Sequence, residues 1–134
     1  MNRLLIDTNI YVAFKRNDQE VVQLLRQAAS IALNTVVLGE LLAGFRGGNR
    51  EAESRRELDL LLDSPRVTIL PIDEGTADFF ALLFNQLKNQ GTPIPTNDIW
   101  IAASTLQHGL ALASLDTHFS RIAGLNIVSG IRKA

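Results

Sequence analysis

The chain has 134 residues, with 13 Lys or Arg against 14 Asp or Glu, and its formal net charge of −1 argues against coating DNA through a large positive field. Its length suits a single domain over residues 1–134, and 46% hydrophobic with 20% charged residues is too apolar for disorder. The absence of cysteine excludes disulfides, thiolate zinc sites and cysteine nucleophiles; no run approaches the ~20 apolar residues of a membrane span, the apolar stretch after Met1 is too short for a secretory signal, and a cytoplasmic location is expected.

Leu4, Leu5 and Ile6 form a short apolar run that stops at Asp7 and reads as a buried first strand. Ile10 to Phe14 fit a short helix closed by Lys15, Arg16, Asn17 and Asp18. Asp18 is a suitable N-cap for a second helix with Val21, Val22, Leu24, Leu25 and Ala28 at helical spacing. Ile31 to Leu33 is a second strand, followed by a helix from Thr35 to about Phe45 that Gly47 and Gly48 end. Residues 49–63 alternate charges with Leu58, Leu60, Leu61 and Leu62, a solvated helix with one buried face. Val67 to Leu70 makes a third strand. Asp73 to Gln90 is a long helix whose Phe79, Phe80, Leu82, Leu83, Phe84 and Leu87 span an arc wider than one sheet contact requires. After a loop at 91–95, Asn97 or Asp98 starts the next helix. Leu110 to Ser114 and Asn126 to Val128 supply the last strands, with a helical turn at 117–122 between them. Strand–helix alternation, with strands that lack a polar face, points to a parallel α/β sheet covered on both sides.

Four acids stand out by position. Asp7 and Asp116 follow strands, at the carboxyl edge of a parallel sheet where open α/β folds place their sites. Asp98 opens a helix with Ile99, Ala102, Ala103 and Leu106 on one stripe. Glu40 interrupts an almost wholly apolar helix, and no Lys or Arg lies at positions 36, 37, 43 or 44 to pair with it. Asp7, Asp98 and Asp116 each also suit a helix N-cap, and Glu40 an ion pair made across the fold. If the four converge, their charges need compensation by raised pKa values or by a divalent cation. Hard oxygen ligands select magnesium or manganese over zinc.

These residues lie in four ordered segments: Leu5 to Asn9, Leu38 to Gly44, Ile94 to Ala103 and Ser114 to Phe119. Together they resemble the signature of PIN domains, most closely the VapC-type toxins of bacterial toxin–antitoxin pairs, over residues 4 to about 128. The resemblance implies a PIN-like three-layer α/β fold with a central, mostly parallel sheet flanked by helices. It implies a metal-dependent ribonuclease that cuts structured RNA such as tRNA or ribosomal RNA loops, held in check by a cognate antitoxin. Asp7 and Asp98 would hold Mg2+ or Mn2+, directly or through water; Glu40 would orient or deprotonate the attacking water; Asp116 would complete the site or hold a second ion. Thr8 and Asn9 would orient the first carboxylate or a bound water, and Asn97 would do the same near Asp98. Ser114 preserves a hydroxyl that many relatives carry two residues before the last Asp.

Other residues carry weaker signals. Arg46 and Arg121 lie beyond Glu40 and Asp116 and are candidates for RNA phosphate contacts. His118 reads as exposed on a turn, His108 as a helix C-terminal residue favoured by the dipole, and Trp100 as packing rather than base stacking. The wide face of the helix 73–90 points to a homodimer. By resemblance, Tyr11, Val12 and Phe14 line a groove for an antitoxin segment. The competing readings are a binding-only PIN domain and a magnesium-dependent phosphoryl-transfer protein. The second lacks an Asp at position 9, and its only lysine after the last strand is Lys133, in the terminal tail.

Overall fold

The structure, a computed structural model, describes residues 2–128. Leu4, Leu5 and Ile6, the run without polar alternation, are fully buried in β1 (Arg3–Ile6), as a strand covered on both faces must be. It pairs with β2 (Ser30–Asn34) on one side and β4 (Ala111–Ala113) on the other, while β3 (Val67–Leu70) pairs with the far edge of β2. The order is β3-β2-β1-β4, and all these pairings are parallel. The chain therefore builds outward from β1 in one direction and then returns to its other side. The resulting topological switch lies between β1 and β4, where the carboxyl ends of parallel strands leave a crevice.

Helices flank the sheet: α1 (Thr8–Lys15), α2 (Gln19–Gln27), α3 (Thr35–Gly47), α4 (Glu51–Leu62), α5 (Glu74–Gln90) and α6 (Thr96–Gln107). A 3₁₀ helix follows at Thr117–Arg121. Their starts have local causes. Asp18 caps α2 by accepting from the amides of Glu20 and Val21, and Asp73 closes a capping box with Thr76 at the head of α5. Gly91, in the left-handed region at φ 70°, ends α5. No helix among the described residues is long and apolar enough to cross a membrane.

Two expectations change. The wide apolar arc of α5 is met chiefly by α6, and Phe80 stacks on Trp100 with ring centroids 4.0 Å apart. Trp100 is thus a packing residue. What remains open on that helix is Leu82 and Phe84, 62% and 42% exposed. The last expected strand contracts to one parallel bridge between Leu112 and Ile127, held by hydrogen bonds of 2.8 Å on either side of Leu112. Lys133 lies outside the described residues.

One buried polar residue ties these layers together. Asn34, at the end of β2, accepts from the Val37 amide at 2.9 Å and so caps α3. Its amide nitrogen donates to the Ser104 hydroxyl at 3.0 Å and to the Trp100 carbonyl at 3.3 Å, both on α6. The side chain thereby fixes the helix carrying Glu40 against the helix carrying Asp98. Asn34→Ala removes a cap and strands buried partners, and is expected to cost about 2–3 kcal/mol. Urea unfolding checks this: the midpoint falls and the slope stays unchanged.

Candidate active site

The first acid is fixed by the end of its strand. Asp7 terminates β1 and caps α1, its Oδ1 accepting from the Ile10 amide at 3.0 Å. Its Oδ2 accepts from the Ser114 hydroxyl, just past β4, at 2.5 Å. That hydroxyl oxygen accepts in turn from the Asp116 amide at 2.9 Å, so one serine sets both strand-end acids. Asp7 is only 4% exposed, and burial raises its pKa from 3.8 to about 6. The Ser114 and Ile10 hydrogen bonds oppose that rise, and the charges of Asp98 and Asp116 add to it.

Glu40 projects from the middle of α3 and, among the described residues, is held by neutral donors. Its Oε1 accepts from Thr8 Oγ1 at 2.7 Å and its Oε2 from Asn97 Nδ2 at 3.3 Å. Thr8 and Asn97 thus both serve Glu40, where Asp7 and Asp98 are the nearer acids in sequence. Each Glu40 oxygen retains acceptor capacity for a further ligand.

Asp98 does not cap its helix. Pro95 takes the N-cap position of α6, which frees the Asp98 carboxylate for other partners. Its pKa is raised, by burial first and then by Asp116 and Glu40, against lowering by His118. Asp116 caps the 3₁₀ helix through the His118 amide at 2.9 Å. The His118 ring reaches both acids: Nδ1 is 3.1 Å from Asp98 Oδ2 and 3.0 Å from Asp116 Oδ1. This residue is not a bystander on a turn, as its local sequence suggested. Its partner Asp98 lies 20 residues upstream, beyond the reach of local spacing.

Asp7, Thr8, Asn9, Glu40, Asn97, Asp98, Asp116 and His118 line one open cleft of about 430 Å³ at the switch point between β1 and β4. Among the described residues, none of the four acids is paired with Lys or Arg. Neither arginine candidate lines this cleft. Arg46 pairs with Glu51 at 3.2 Å beside a separate depression, and Arg121 donates to the Pro93 carbonyl at 3.0 Å. His108 ends α6 with its Nε2 buried and unpartnered.

This geometry meets a family pattern. The PIN domain family profile matches residues 4–125. The chain belongs to the PIN domain family. This PIN domain is 33% identical over 131 residues to Ribonuclease VapC1 of Haemophilus influenzae strain R2866, covering 90% of this chain and 92% of the relative. VapBC2 from Rickettsia felis, bound to a DNA fragment from its promoter, superposes with a TM-score of 0.85 at 25% identity, over 93% of this chain and 96% of that one. VapBC-1 from nontypeable H. influenzae gives 0.83 at 28% identity, over 93% and 96%.

The donor chemistry fits a divalent cation. Carboxylates gathered without a Lys or Arg partner among the described residues, two of them with raised pKa values, favour the entry of a positive charge. Asp98, Asp116 and His118 each offer one ligand atom, all within 4.8 Å of one another.

The buried acid has a measurable cost. Without a cation, folded Asp7 keeps its proton up to about pH 6, whereas the unfolded chain releases it near 3.8. The folded state binds more protons in that window, so this contribution is complete below 3.8 and is lost as pH rises through about 6. Asp7→Asn is therefore expected to stabilise the chelated protein at pH 8 by about 1–3 kcal/mol, with the gain vanishing toward pH 4. Paired urea titrations of both proteins across that range check it.

Proposed function

We propose that this PIN domain is a metal-dependent endoribonuclease toxin of the cytoplasm. It hydrolyses phosphodiester bonds in structured RNA such as tRNA or ribosomal RNA, and a cognate antitoxin neutralises it. The convergence of Asp7, Glu40, Asp98 and Asp116 on one cleft carries this reading. The relative named a ribonuclease supports RNA as the substrate class, and the related VapBC assemblies support a protein partner.

Asp7 and Asp98 would hold Mg2+ or Mn2+, directly or through water, and Asp116 would complete the set. The cation, when bound, supplies positive charge against the phosphoryl oxygens as negative charge develops on them. Glu40, steadied by Thr8 and Asn97, orients a water and takes its proton as the oxygen attacks phosphorus. The bond from phosphorus to the 3′ oxygen breaks, leaving a 5′-phosphate end and a 3′-hydroxyl that takes up a proton. Asn9, on the cleft wall, is placed to contact substrate or a bound water.

The groove we assign to the antitoxin has a lining that differs in detail from the sequence expectation. A groove is lined by Tyr11, Val12, Lys15, Arg16, Phe45, Ser54 and Glu57, and Phe45 also borders the neighbouring depression. Phe14 is not part of its wall; its ring lies 6.4 Å from Tyr11. An extended apolar segment with mixed charge suits this surface.

Incubation with total RNA tests the activity. Cleavage that requires Mg2+ or Mn2+, stops with chelator and leaves 5′-phosphate ends is expected. Asp98→Asn is expected to lower its rate at least about 100-fold. Metal binding without cleavage of any RNA overturns the enzyme in favour of a binding module, and acid-labile phosphorylation of Asp7 overturns it in favour of phosphoryl transfer.

The open Leu82 and Phe84 on α5 support a homodimer. Size-exclusion chromatography with light scattering at micromolar concentration is expected to give twice the chain mass, and Phe84→Glu to give the monomer. A monomeric unsubstituted protein removes this proposal.

A further inference from the structure

We propose that His118 is a nitrogen ligand to the cation, beside Asp98 and Asp116, and that it biases the site toward Mn2+ over Mg2+. This rests on the metal-dependent reading above and adds to it a residue and a preference that the carboxylates alone do not give.

The first argument is distance. In an octahedral site with bonds of about 2.1 Å, adjacent ligand atoms lie about 3.0 Å apart. His118 Nδ1 is 3.0 Å from Asp116 Oδ1 and 3.1 Å from Asp98 Oδ2. These are the separations of neighbouring vertices on one coordination shell. The second argument is the hydrogen count. A ring nitrogen carries at most one proton, yet two carboxylate oxygens converge on Nδ1 at nearly equal range. One N–H cannot point well at both, whereas a cation among the three atoms satisfies all of them. The third argument is constraint. The His118 amide donates to the same Asp116 carboxylate, which caps the short helix and ties the base of the imidazole to its co-ligand.

Ligand type then sets the preference. Mg2+ favours oxygen and keeps its waters, whereas Mn2+ and the later first-row ions accept imidazole readily. With its proton on Nε2, the neutral ring presents the Nδ1 lone pair to the ion. Part of the side chain, 36% exposed, stays open to solvent.

Pulsed electron paramagnetic resonance of Mn2+ bound to the tag-free protein tests the assignment directly. A 14N coupling from a directly bonded imidazole is expected. The chain has two histidines, and His108 caps the far end of α6 from Asp98, about 15 Å away along the helix. The coupling should therefore vanish in His118→Gln and persist in His108→Gln. In His118→Gln the ratio of Mn2+ to Mg2+ affinity, measured by competition, should fall about tenfold. Bound Mn2+ without 14N coupling in the unsubstituted protein overturns the proposal, as does a coupling that survives His118→Gln. If RNA cleavage is still stopped by chelator in that case, the nuclease reading stands and only the role of His118 falls. If no Mn2+ binds and cleavage ignores chelator, both fall together.

Discussion

A carboxylate sits where the apolar core runs out. Asp7 follows three fully buried residues, and its own side chain is almost as hidden as theirs. Among the described residues no cationic side chain offsets its charge; hydrogen bonds from Ser114 and the Ile10 amide only partly offset the desolvation. The same contacts dictate the geometry around it. One oxygen starts α1, the other draws in the residue after β4, and through Ser114 the amide of Asp116 is set as well. The site is thus assembled around its least comfortable member, a trade of stability for function that proteins commonly make.

Topology explains why such distant acids meet. Because the strand order reverses at β1, the ends of β1 and β4 are neighbours although their residues are separated by most of the chain. Asn34 then brings the remaining walls together, capping the helix that bears Glu40 while holding α6, which bears Asp98. Each wall of the cleft is supplied by an element end or a helix already required by the sheet. The site needs no dedicated scaffold.

Much of this was legible in one dimension, and the failures share a cause. Asp18 announced a helix start because a cap acts on amides two or three residues away. The four acids stood out because carboxylates are rare at strand ends and inside apolar helices. Partnerships across the fold were not legible. Thr8 and Asn97 each serve Glu40 instead of the acid beside them, and the ring of His118 meets an acid from another helix. The arc of α5 announced a second buried face but could not say that α6 would cover it. The net charge is a sum that hides its distribution: setting the four clustered acids aside leaves 13 basic residues and ten acidic ones, an acidic hollow in a mildly basic chain.

The bond between Ser114 and Asp7 spans 107 positions, and that separation orders events in time. A chain made from its N-terminus carries Asp7 almost from the start, yet the cleft has no second strand end until β4 and the following helical turn have been synthesised. The groove between α1, α3 and α4 draws only on residues up to Glu57. The residues of that groove therefore exist as sequence well before the cleft at the strand ends can be completed.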